Sequence, residues 1–141
     1  MSFEDLKARI KEHEGYSETV YKDTLGFETG GYGHKIIPGE DIPTTQNGWD
    51  ALFEKDFQTA CDGADRILGD CDIDITAREV VIEMVYQMGE GGVSKFKNML
   101  SALREGRYTD ASDEMISSLW YQQTPNRASA LSLIMREIDV A

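Results

Sequence analysis

The sequence is short of cysteine, proline and positive charge. Its two cysteines, Cys61 and Cys71, are too few for the disulfide framework that staples small secreted domains, so both are expected to be free thiols. Three prolines and no low-complexity stretch exclude a linker-rich or disordered chain. No run of about 18 apolar residues is available to span a membrane, and the opening Met-Ser-Phe-Glu-Asp-Leu-Lys lacks the apolar centre of a signal peptide. Synthesis in a cytoplasm, without membrane insertion and without an export route of its own, is the expectation. Lysine and arginine number 14 against 26 acidic side chains, a formal net charge of -12. Such a balance disfavours nucleic acid and anionic membranes as partners, because phosphate binding depends on basic side chains displacing counterions.

The residues that are present suit a globular protein. A chain of 141 residues fits one domain, or two small lobes sharing a core, since independent cores take about 100–200 residues each. The hydrophobic share of 40% is ordinary for a soluble fold. The acidity is local: residues 36–75 carry 2 basic and 10 acidic side chains, whereas 1–35 carry 5 and 7 and 76–141 carry 7 and 9. Two-thirds of the excess negative charge therefore lies in the middle stretch.

The pattern along the chain predicts an α+β, mostly helical protein. Ser2 can cap a first helix with Asp5 three residues on, Phe3, Leu6 and Ile10 mark one face, and Gly15 ends it. Residues 19–34 interleave β-formers with glycines at 26, 30, 31 and 33, which predicts a small, tightly turned antiparallel sheet. From Trp49 to Leu68 apolar residues follow the helical period, predicting a long helix that begins near Thr45 or Asn47. Thr76 and Glu79 suggest a capping box for an almost wholly apolar helix to Met88, ended by Gly89, which should centre the larger core. Further helices are expected at 94–105, 109–118 and 126–139, with Thr124 as cap and Pro125 in the first position. The expected architecture is two lobes within a single domain over 1–141: a sheet lobe at about 15–48, a connecting helix at about 49–68, and a helical lobe of about 1–14 plus 69–141.

Glu14 stands at the end of the first helix, Asp23 at the entry to the sheet, and Thr29 six residues later. Two carboxylates and a hydroxyl, gathered at a helix end and a glycine-rich turn, are the inventory of glycoside hydrolysis: one carboxyl donates a proton to the leaving oxygen, and the other, ionised, handles water or developing positive charge. Any one acid among 26 is more often merely solvated. The residues around these three are more specific. His13-Glu14-Gly15, Val20-Tyr21-Lys22-Asp23-Thr24 with Gly26, Thr29-Gly30 and Gly31-Tyr32-Gly33-His34 resemble the phage-type lysozymes, glycoside hydrolase family twenty-four, of the T-even subtype. Tyr86-Gln87-Met88-Gly89-Glu90 and Trp120-Tyr121-Gln122-Gln123-Thr124-Pro125-Asn126-Arg127 resemble two further blocks of that family, in the same order, so that the resemblance spans residues 3 to about 136.

The resemblance implies a lysozyme-like fold and a muramidase cutting the β-1,4 bond between N-acetylmuramic acid and N-acetylglucosamine in peptidoglycan. It implies Glu14 as general acid with a raised pKa, Asp23 as the carboxylate that activates water, and Thr29 as the hydroxyl that helps hold it. In an inverting enzyme of this kind the carboxyls stand about 6.5–9.5 Å apart. Lys35, Tyr86 and Gln87 match substrate-binding positions, with the Lys35 backbone rather than its side chain facing the sugar. Arg127 matches an arginine paired with the catalytic glutamate, and His34 with Asp56 an ion pair that serves stability. The implied partners are peptidoglycan glycan strands, reached from the host cytoplasm through a holin-made opening, with the protein a monomer. No metal or other cofactor is implied. The acidic loop Asp70-Cys71-Asp72-Ile73-Asp74 invites a calcium reading, but an EF-hand loop begun at Asp70 would need glycine and glutamate where Ile75 and Val81 stand.

The sequence also departs from the family. The connection from His34 to the long helix is shorter, the C-terminus stops early, Met99 and Glu114 replace a small hydroxyl and an amide at two sugar-contact positions, and family members are usually basic. The acidity suggests work where salt screens repulsion beyond about 8 Å. Two rival readings remain: a peptidoglycan-binding module that is catalytically weak, which the intact Glu14, Asp23 and Thr29 oppose, and a lytic transglycosylase, which would need no water-activating Asp23.

Overall fold

A computed structural model describes residues 3–140. Their contacts divide the chain into two units, Met1–Thr59 and Ala60–Ala141. The fold class is the expected one, helices around one small antiparallel sheet.

In the first unit, α1 (Glu4–Glu14) buries Leu6 and Ile10, four residues apart on one face. It ends at Gly15, whose φ of 72° turns the chain out of the helix while its N–H donates to the Lys11 carbonyl at 2.9 Å. Phe3 occupies the N-cap without a side-chain bond; the proposed Ser2 cap lies outside the described residues. Strands β1 (Ser17–Lys22), β2 (Glu28–Gly31) and β3 (His34–Lys35) form a meander in that order, both pairings antiparallel. In the register, Thr29 faces Tyr21 on one side and Lys35 on the other, and Gly30 faces His34.

Helix α2 (Gln46–Leu68) begins in the first unit and ends in the second. Trp49, Phe53, Phe57, Ala60, Ala64 and Leu68 are its buried residues, a spacing of three and four that keeps one stripe inward over the whole helix. Trp49 explains the paired glycines of β2. A Cβ on Gly30 or Gly31 would collide with the indole ring, which lies flat against the backbone and donates from Nε1 to the Glu18 carbonyl at 2.9 Å. Around it, Phe53 meets Tyr32 edge-on with ring centres 5.4 Å apart, and Lys11 Nζ lies 4.8 Å from both rings. With Lys7 Nζ donating to Glu54 Oε1 and Phe3 against Phe57, these contacts pack α1 on the first half of α2.

The second unit is helical. Helix α3 (Ile75–Ser94) buries Val80, Val81, Ile82, Glu83, Met84 and Val85, as its apolar sequence predicts. Its cap differs: Asp74, not Thr76, is the N-cap, and its carboxylate accepts from the Thr76 N–H at 2.7 Å. Gly89 (φ 82°, ψ 162°) breaks the helix, and helical backbone resumes beyond it to Ser94. The others are α4 (Lys97–Arg104), α5 (Tyr108–Ile116), α6 (Leu119–Gln123) and α7 (Pro125–Glu137). α6 is absent from the sequence reading because five residues give no periodicity; Ser118 caps it, accepting from Tyr121 N–H. Pro125 starts α7 as expected, but the Thr124 hydroxyl donates back to the Trp120 carbonyl at 3.1 Å instead of capping. α7 packs against α3, α5 and α6. No described helix is long and apolar enough to cross a membrane.

Candidate active site

Six of the nine residues singled out from the sequence belong to the first unit. Glu14 closes α1 and is half-buried. Its carboxyl rests against the turn between β2 and β3: a Cβ on Gly33 would overlap Glu14 Oε1 and lie 3.0 Å from Cδ. Gly33 also has φ 73°, a backbone conformation that favours glycine, and a methyl there would require the Glu14 carboxyl to shift.

Asp23 and Thr29 are joined through one residue between them. Asp23 Oδ1 accepts from the backbone N–H groups of Leu25 and Phe27, each at 2.9 Å, an Asx-type turn that holds the loop into β2. The Asp23 N–H donates to the Phe27 carbonyl at 2.9 Å, and the Thr29 hydroxyl donates to that same carbonyl at 3.1 Å. Thr29 is buried, 4% exposed. Lys35, its partner in the register, is exposed, with Nζ 4.9 Å from the centre of the Phe27 ring.

His34 and Asp56 pair as expected, Nδ1 to Oδ2 at 2.7 Å, but the pair is part of a larger group. Glu40 lies on the other side of the ring, both its carboxylate oxygens within 3.0 Å of Nε2, and Glu40 Oε1 also accepts from the Ile37 N–H at 2.9 Å. Burial pulls the His34 pKa down, yet the hydrogen bonds to Asp56 and Glu40 outweigh it and the net direction is upward. Asp56 moves up because burial outweighs its bond to His34. For Glu40 burial acts upward, but the Ile37 N–H and His34 prevail and its pKa falls. The ring thus has a carboxylate on each nitrogen, an arrangement that stabilises its protonated form. Nothing in the residue pattern points to Glu40, an acid in an irregular loop with no periodicity to place it.

The remaining three residues lie in the second unit. The Gln87 amide is engaged from both ends: its carbonyl accepts from Trp120 Nε1 at 3.0 Å, and its nitrogen makes a long 3.5 Å contact with Thr124 Oγ1. Tyr86 is half-buried beside it on α3. Arg127 Nε donates to Glu83 Oε2 at 2.9 Å, with Glu83 fully buried and the arginine side chain 10% exposed. Glu83 is the second residue that sequence reasoning missed. Its signal was a lone charge inside Val80-Val81-Ile82-Glu83-Met84-Val85, since a buried carboxylate needs a partner. Met99, at one of the departing positions, is fully buried, and with Glu114, Phe96 and Trp120 it lines an open hollow of about 490 Å³. Among the described residues no three histidine, cysteine, aspartate or glutamate side chains gather to hold a metal ion. Asp74, in the acidic loop, is occupied as the α3 cap.

A family model described as phage lysozyme matches residues 11–136. Probable T4-type lysozyme 1 of Dictyostelium discoideum is 31% identical over 152 aligned positions, covering 88% of this chain and 89% of that protein. The pre-baseplate central spike protein Gp5 of Enterobacteria phage T4 is also 31% identical, over 89% of this chain but 26% of its own length. Peptidoglycan hydrolase gp36 of Pseudomonas phage phiKMV is 28% identical, over 88% of this chain and 14% of its own.

Proposed function

The chain belongs to the phage lysozyme family of glycoside hydrolases, and from that premise we propose that it hydrolyses peptidoglycan at the β-1,4 bond between N-acetylmuramic acid and N-acetylglucosamine, with inversion. The observation that carries this reading is the seat of Glu14, a half-buried carboxyl at a helix end pressed against a glycine turn in the unit that also holds Asp23 and Thr29.

In the proposed reaction the Glu14 proton passes to the glycosidic oxygen as the bond from C1 to that oxygen breaks. A water oxygen bonds to C1 from the opposite face while one of its protons passes to Asp23. The products are a new reducing end and a free hydroxyl, with Glu14 ionised and Asp23 protonated; exchange with solvent resets both. Lys35, Tyr86 and Gln87 contact the glycan, and no cofactor takes part. The protein acts as a monomer and reaches the wall after a holin opens the inner membrane, serving host lysis.

Digestion of purified peptidoglycan by the parent and by Glu14→Gln tests the proposal. The parent releases muramic reducing ends without anhydro-muramyl products, and the variant loses about 10²–10⁴-fold of the rate, the usual worth of a general acid. Equal rates would sink the reading. Proton NMR of the first product distinguishes the α anomer expected of inversion from the β anomer of a retaining enzyme.

A further inference from the structure

Phe27 was not among the residues singled out from the sequence, yet its backbone groups bond to both Asp23 and Thr29. Its N–H holds Asp23 Oδ1, and its carbonyl receives both the Asp23 N–H and the Thr29 hydroxyl. Two consequences follow from donor and acceptor counting. Both N–H groups bound by the Asp23 carboxylate fall on Oδ1, which leaves the lone pairs of Oδ2 for a water. The Thr29 hydroxyl has one proton, committed to Phe27, so toward a water it is an acceptor. A water between Oδ2 and Oγ1 gives one proton to each, and its lone pair is then aimed elsewhere.

The side chain of Phe27 supplies a means of holding that peptide in place. Phe27 stands one residue before β2 and two before Thr29, whose register partner is Lys35. The Lys35 ammonium sits over the Phe27 ring at 4.9 Å, a cation–π contact, although the ring is 53% exposed and contributes little to any core.

We infer that Phe27 is a positioning residue for hydrolysis: its peptide orients the Asp23 carboxylate and the Thr29 hydroxyl toward the attacking water, and the Lys35 ammonium latches its ring. The inference rests on the function proposed above. It gives the Lys35 side chain a role that the resemblance, which points to its backbone, does not.

The test compares the parent with Phe27→Ala, Lys35→Met, the double variant and Phe27→Tyr. Alanine keeps the backbone donor and acceptor and removes only the latch. Expected are a fall in kcat of about tenfold in each single variant with KM little changed, no further loss in the double variant because the two residues act as one unit, and recovery in Phe27→Tyr. Amide hydrogen exchange of Leu25 and Phe27, read on labelled protein without substrate, is expected to accelerate at least tenfold in Phe27→Ala and Lys35→Met. Unchanged kcat and unchanged exchange would overturn the inference, as would a raised KM at constant kcat, which would make the ring a glycan-stacking surface. A parent that releases no reducing ends would sink the functional reading instead, and the exchange result would still decide whether the latch exists.

Discussion

Each unit holds a charged group taken partly or wholly out of water, and the two are stabilised in different ways. In the first, His34 lies between Asp56 and Glu40, with all three side chains keeping some exposure, between 13% and 28%. In the second, Glu83 has none and Arg127 little. Histidine changes charge near neutrality, whereas arginine does not. The ionic group of the sheet unit thus contains a member whose charge changes near neutrality, and the pair in the helical unit contains none.

The largest expected effect comes from breaking the buried pair. Glu83→Ala removes the carboxylate that accepts from Arg127 Nε and is expected to cost about 3–5 kcal/mol, read as a lowered midpoint in urea unfolding. Replacing both partners by methionine should cost less than the single variant, because neither charge of this pair is then buried without the other. A single variant as stable as the parent would show that water reaches Glu83 and would erase the contrast between the units.

Next is Gly33→Ala, adjacent to His34. The backbone at φ 73° alone costs an alanine about 1–2 kcal/mol, and the added methyl must displace the Glu14 carboxyl. Peptidoglycan hydrolysis is therefore expected to fall by more than the stability loss explains, measured at a temperature where both proteins are fully folded.

The smallest effect is the most diagnostic. The raised His34 pKa means that its stabilisation is complete below the free histidine value of about 6.5 and fades as pH rises through the higher folded value. Glu40, lowered, contributes above its ordinary carboxylate range and loses that contribution as pH falls through its folded value. The raised Asp56 works the other way, the cost of its buried charge being relieved at low pH. His34→Gln is thus expected to cost about 1–2 kcal/mol near pH 5.5, in the range of a partly solvated charged hydrogen bond, and little at pH 9. A cost that does not change between these pH values would break the comparison from the other side.

Much of this was legible before any coordinates, for identifiable reasons. The stripe from Trp49 to Leu68 fixed α2 because one helix face was buried along its length, and the apolar run at 80–85 announced α3. The glycines at 30, 31 and 33 marked close approaches of backbone, though not that an indole and a carboxyl are what approach. Caps were read less well: Asp74 and Thr76 both suit a helix start, and only geometry decides which accepts. Glu40 and Glu83 were missed for opposite reasons, one hidden in a loop among many acids and one in an apolar helix read by its average. Asp23 and Thr29 were found as residue types, while the peptide of Phe27 that relates them leaves no mark in side-chain identity.

The tryptophans have a practical consequence. The chain has two, and each unit holds one, buried to 1% exposure at Trp49 and 6% at Trp120 and anchored through its indole nitrogen. Intrinsic fluorescence is therefore a pair of built-in optical probes, one per unit, without labelling. Spectra of Trp49→Phe and Trp120→Phe separate the two emissions, and a denaturation curve followed by each shows whether sheet and helices melt together or in turn.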